Sequence, residues 1–188
     1  MCKKTNPDKI EEIDKIHRCS AIPFPLLIYN HGINEFCGIT WKQLCEDYEN
    51  SYRWEGKNLA EIKDDFGEFV KTDVQEELRK HTGKIAAFLL SGKNTNTNKF
   101  ECYEIYWKPN YHLQSWNRPR LIISGSGKKC LNNHSKLTPD DWGLLEIDDA
   151  SNKLERLFAM ALNEQKRLKL NLFSDDYDIE CITDNNAH

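Results

Sequence analysis

Apolar positions along this chain fall into two alternating regimes, continuous or period-two runs and stripes spaced three and four apart. Between Ala21 and Tyr29 the residues Ile22, Phe24, Leu26, Leu27 and Ile28 cluster behind Pro23 and Pro25, and the run stops at Asn30-His31-Gly32. This predicts a buried strand reached through an extended, proline-rich lead. From Thr40 the spacing changes to Trp41, Leu44, Cys45, Tyr48 and Tyr52, one face of a helix with Thr40 as its N-cap, punctuated by Gly56. A second helix is predicted from about Asn58 to Lys80, with Leu59, Ile62, Phe66, Phe69, Val70, Val74 and Leu78 on one side and charges on the other.

Three strands are predicted next, over Ile85 to Leu90, Phe100 to Trp107 and Arg120 to Ile123; the polar segment Asn94 to Asn98 joins the first two as a hairpin. Thr138-Pro139-Asp140-Asp141 supplies a helix start with proline in the first helical position. A long helix is predicted from about Ala150 to Leu170, carrying Leu154, Leu157, Phe158, Ala161, Leu162, Gln165 and Leu168 near one side. The tail from Tyr177 to Ile182 alternates as a final edge strand would. Helices, a run of strands, then another helix imply an α+β fold with helices layered on antiparallel sheets.

The sharpest local signal is Leu121 to Lys129, an apolar run that ends in Ser124-Gly125-Ser126-Gly127 and restarts with Lys128-Lys129. A strand, a tight glycine turn and a helix start would bring backbone N–H groups close to an anion or an oxyanion. A P-loop does not fit, because Ile122 stands where its first glycine belongs and Lys129 where a hydroxyl residue should hold magnesium. Anion or nucleotide binding at this turn stays open as one function, and a plain strand-to-helix connection is the structural alternative.

Composition narrows the picture. With 188 residues, no linker-like segment and no internal break, the chain is expected to form a single domain over residues 1–188, of which residues 1–14 are a polar lead. A net charge of -4, with Lys and Arg dispersed among acids, argues against a nucleic-acid partner. No apolar run reaches the ~20 residues of a membrane span and the N-terminus is charged, so no membrane association and a cytoplasmic location are expected. Seven cysteines, at 2, 19, 37, 45, 102, 130 and 181, include no C-x-x-C pair, which predicts unpaired thiols and no metal centre. The six histidines form no metal-ligand spacing with them, Cys130 and His134 being an isolated pair, and no cofactor is expected. The aromatics between Tyr103 and Trp116 read as core and rim packing.

Four short stretches carry a resemblance when taken in order: Asp14 to Arg18; Ile28 to Trp41 (IYNHGINEFCGITW); Ala87 to Gly92 (AFLLSG) with Tyr103-Glu104-Ile105; and Ile123 to Gly127. Together they are similar to a bacterial, proteasome-like branch of the N-terminal nucleophile (Ntn) hydrolases, over roughly Lys3 to Ile182. The resemblance implies a four-layer α/β/β/α sandwich of antiparallel sheets. It also implies a site built from an N-terminal Thr, Ser or Cys, an aspartate, a lysine and backbone oxyanion donors. By position Lys15 matches the active-site lysine, which activates the nucleophile. Ser126 matches the serine that supports the terminal amine, and the turn at Asn30 to Gly32 matches the segment presenting the oxyanion N–H, with Gly32 as its representative.

One departure governs the functional expectation. The family places two strands before its lysine, whereas Lys3 to Asp8 here is polar and interrupted by Pro7, so the catalytic first hairpin is expected to be absent and the fold N-terminally truncated. Cys2 would be exposed as a free amine and thiol by removal of Met1, and Lys3 and Lys4 would favour its thiolate, but without a following strand it is not expected to act as nucleophile. The chain is therefore expected to be a homologue in the peptide- and amide-hydrolysing class without turnover of its own, unless its reading frame begins upstream. The alternative is a noncatalytic assembly subunit on the same fold, forming a homo-oligomer or a ring with related subunits.

Overall fold

The computed structural model describes residues 2–6, 9–13, 15–81, 83–107, 111–116, 131, 134–135, 139–142 and 144–169, with the backbone alone for 2–6, 9–13, 111–116 and 139–140. The chain divides into two compact units, Met1–Lys15 with Pro119–Cys181 and Ile16–Arg118 with Ile182–His188.

In the larger unit, β3 (Ile16–Arg18), β4 (Leu26–Gly32), β7 (Ala86–Asn94), β8 (Lys99–Trp107) and β9 (Tyr111–Trp116) form an antiparallel sheet in that order. Its register sets Ile28 across from Leu90, Phe88 across from Ile105 and Ala86 across from Trp107. Alternation along the strands sends Leu26, Ile28, Phe88, Leu90, Ile105 and Trp107 to one buried face. Helices α1 (Trp41–Asn50) and α2 (Leu59–Lys80) contribute Trp41, Leu44, Tyr48, Ile62, Phe66 and Val70 to the same core. Phe66 stands edge-on to Phe88 at 5.3 Å between centroids, and Phe88 edge-on to Trp107 at 6.1 Å, the offset geometry that ring quadrupoles favour. A small hairpin of β5 (Glu35–Phe36) and β6 (Ile39–Thr40) leads into α1.

Both helix starts lie where the sequence places them. Thr40 accepts a hydrogen bond from the Gln43 amide at 3.2 Å. Asn58 opens α2 with a full capping box: its Oδ1 accepts from the Ala60 and Glu61 amides, and the Glu61 carboxylate accepts from the Asn58 amide. Asn58→Ala is expected to lower stability by about 1 kcal/mol, read as a lower urea midpoint at unchanged slope.

In the smaller unit, β1 (Cys2–Asn6) and β2 (Lys9–Ile13) form a two-stranded antiparallel hairpin. The expected absence of a strand pair ahead of Lys15 is corrected here. Pro7 interrupts neither strand because it lies between them in the sequence. The polar composition is tolerated because the register sets Lys3 across from Glu12 and Lys4 across from Glu11, opposite charges in facing positions. Helix α3 (Pro139–Trp142) begins at the predicted proline, and α4 (Ile147–Arg167) begins three residues before its predicted start. Leu157 and Ala161 of α4 pack with Leu131 and Trp142 in a second, smaller core.

Two further differences concern strands. Ile22 and Phe24 are buried but precede β4, whose ladder begins at Leu26 after the second proline. The strand following β8 runs over Tyr111–Trp116, which the sequence reading assigned to no element. The predicted segments Arg120 to Ile123 and Tyr177 to Ile182 lie outside the described residues.

Candidate functional site

Lys15 follows β2 and is 4% exposed, unlike a solvated lysine. The first hairpin determines what lies near it along the backbone: Cys2 pairs across from Ile13, two residues before Lys15. The strand pair thus returns the chain to the start of β1. The spacing from Cys2 to Lys15 suffices for this compact hairpin.

Gly32 ends β4 in the other unit with φ of +92°. A Cβ there would meet the Ile85 carbonyl oxygen at 2.1 Å, so the position excludes any side chain. The next amide, Ile33 N–H, is donated to that same Ile85 oxygen at 2.9 Å and is already engaged in the fold. Ser126, with the whole Gly125-Ser126-Gly127 turn, lies outside the described residues, as does Cys130. His134 is hydrogen bonded to Glu164 at 2.8 Å.

Polar pairs that the sequence did not indicate occur in partly buried positions on the large sheet and beside it. His31 Nε2 contacts Glu104 Oε1 at 3.1 Å, and Ser91 Oγ contacts Cys102 Sγ at 3.1 Å, all four residues belonging to strands β4, β7 and β8. Burial pushes the Cys102 thiol up to about 11, the Ser91 hydroxyl opposing the shift. Tyr103, between Glu101 and Lys63, is pushed up to about 12 by burial and by the Glu101 carboxylate that accepts its hydroxyl at 2.6 Å.

A second cluster joins β3 to α1. His17 Nε2 lies 2.6 Å from Glu49 Oε2, while Glu49 Oε1 accepts the Ala21 amide at 2.8 Å. Burial alone would raise the Glu49 carboxyl, but hydrogen bonds from His17 and from the Ala21 and Ser20 amides prevail and hold it below the ordinary carboxylate range. Its stabilising contribution is accordingly complete above the unfolded-state value of about 4.3 and disappears as pH falls through the lower folded-state value. Acid titration of stability in Glu49→Gln is expected to show a shallower loss below about pH 4.3 than in the parent chain, checked by urea unfolding at stepped pH. No sequence pattern announced this cluster, because nothing local relates residues 32 positions apart.

The four cysteines whose side chains are described, Cys19, Cys37, Cys45 and Cys102, are unpaired thiols, as expected. Cys19 and Cys45 are buried, and burial followed by the Glu49 carboxylate pushes both thiols well up. No helix among the described residues is long and apolar enough to cross a membrane.

No protein-family model and no curated protein matches this sequence. Among solved structures the chain is similar to Anbu (ancestral beta-subunit) from Yersinia bercovieri, with a TM-score of 0.58 and 15% sequence identity, over 92% of this chain and 72% of that one. At this identity the likeness speaks to the fold alone, a mixture of helices and antiparallel sheets.

Proposed function

We propose that the chain is a proteasome-like subunit of the class that hydrolyses peptide or amide bonds, with Cys2 as its N-terminal nucleophile and Lys15 as the activating cation. The observation that supports this reading is the β1–β2 register, which sets Cys2 across from Ile13, two residues from a lysine withdrawn from solvent. A nearby ammonium favours the thiolate, the reactive form of the group. The thiolate sulfur adds to the substrate carbonyl, the C–N bond breaks as the departing amine takes up a proton, and water then hydrolyses the thioester. In this reading Ser126 keeps the amine-supporting role that the resemblance implies, in a cytoplasmic setting.

Limited alkylation of the full chain with iodoacetamide tests the nucleophile. Cys37 is the internal reference, since burial and the carboxylates of Glu76, Glu77 and Asp73 raise its thiol against the opposing Lys80. Mass mapping is expected to find Cys2, freed of Met1, modified first. Modification of Cys2 no faster than Cys37, or retention of Met1, would remove it from the role.

A noncatalytic assembly role is the second reading, and the surface of the smaller unit favours it. Leu144 is 84% exposed, and Ile147, Met160 and Leu168 are exposed on or beside α4. Such apolar surface suits contacts between subunits of an oligomer or ring. A stable monomer in sedimentation at micromolar concentration would count against assembly.

A further inference from the structure

The cluster between β3 and α1 has more chemistry than a structural hydrogen bond requires. Along the extended chain His17 and Cys19, two positions apart, project to the same side. Glu49 approaches them from the last turn of α1. The imidazole nitrogen, thiol sulfur and carboxylate oxygen all lie within 4.8 Å of one another. Cys19 is 5% and Glu49 6% exposed, so the donor atoms converge in an interior position where water competes poorly for an ion.

We infer that His17, Cys19 and Glu49 form a binding site for a divalent transition-metal ion of the zinc class. An imidazole, a thiolate and a carboxylate are the donor types zinc accepts together, whereas magnesium and calcium select oxygen alone. Ligand bonds of about 2.0–2.3 Å would require modest spreading of the His17–Glu49 contact and closure on the sulfur, with a water in the remaining tetrahedral position. Glu49 is prepared for a single metal bond: its Oε1 is held by the Ala21 amide, which leaves Oε2 directed toward His17. Binding releases the Cys19 proton, and the cation then attracts both the thiolate and the Glu49 carboxylate. The ion would fasten the segment after β3 to α1, independently of any hydrolytic activity.

Cobalt titration of the metal-stripped full chain tests this, because a thiolate bound to Co²⁺ gives a charge-transfer band and a tetrahedral site gives intense visible d–d bands. Both are expected at stoichiometric cobalt, to be displaced by zinc, lost in Cys19→Ser and retained in Cys37→Ser. Zinc is expected to raise the melting temperature of the parent chain, and Glu49→Gln to weaken zinc binding by roughly 10-fold or more. Absence of the charge-transfer band in the parent chain, or its persistence at full strength in Cys19→Ser, would overturn the assignment. Should circular dichroism show Cys19→Ser to be unfolded, Glu49→Gln decides, since it keeps the side-chain shape; unchanged zinc affinity in that variant refutes the site.

Discussion

Cys2→Ala is expected to eliminate cleavage of a panel of fluorogenic peptide amides, because no other group replaces the sulfur in the acyl intermediate. Lys15→Met, which keeps a long apolar stem and removes the charge, is expected to lower kcat/KM by about 10²–10⁴-fold, or roughly 3–5 kcal/mol of transition-state stabilisation. The two variants differ in their pH dependence as well as in magnitude. Loss of the ammonium raises the thiol pKa, so the acidic limb of the Lys15→Met rate profile is expected to move to higher pH. A lysine whose role is only to fill space would leave that limb in place. Because Lys15 is buried, circular dichroism and urea midpoints of the variant separate a folding defect from lost activation. Full activity in Cys2→Ala would refute the nucleophile assignment. An inactive parent chain that self-associates would instead favour the assembly reading.

Gly32→Ala is the substitution expected to damage the fold most. The added methyl would lie 2.1 Å from the Ile85 carbonyl oxygen, a backbone atom that also accepts the Ile33 amide at 2.9 Å. Neither partner can move alone: Gly32 pairs with Ala86 at the end of the β4–β7 ladder, and Ile85 immediately precedes β7. The φ of +92° adds strain that any L side chain would feel. A cost of about 3–5 kcal/mol is expected, which for a chain of this size lowers the melting temperature by roughly 10 °C. Gly38→Ala is the comparison, since its added methyl would meet nothing within 4 Å although its φ is also positive, +85°. It is expected to cost only the conformational strain, about 1–2 kcal/mol, so equal losses in the two variants would show that the Ile85 contact is unimportant.

The elements legible in advance were those with a strong apolar period and local punctuation. Trp41, Leu44, Cys45 and Tyr48 declared α1, Thr40 and Asn58 declared helix starts, and Ile28, Phe88 and Ile105 marked strands of the buried sheet. The β1–β2 hairpin escaped because its pattern is one of charge, Lys3 and Lys4 facing Glu12 and Glu11, which becomes meaningful only when the register is known. β9 escaped because Tyr111 to Trp116 mixes polar and aromatic residues with no clear period and pairs with β8 through its backbone. The Gly32 turn was legible as a break in the apolar run, while its sterically enforced need for glycine came from Ile85, far along the chain.

For the site residues the division is similar. Order along the chain directed attention to Lys15, and the fold alone withdrew that lysine from solvent and folded the backbone so that Cys2 lies across from Ile13. Histidine, cysteine and glutamate at positions 17, 19 and 49 are unremarkable in one dimension, and they meet because β3 and α1 pack on the same unit. Local periodicity and capping chemistry determined the helices and the central strands, since those depend on neighbours within a few residues. Strand pairing, burial of charge and the convergence of donor atoms were decided by tertiary structure, because each depends on contacts between residues that sequence distance does not relate.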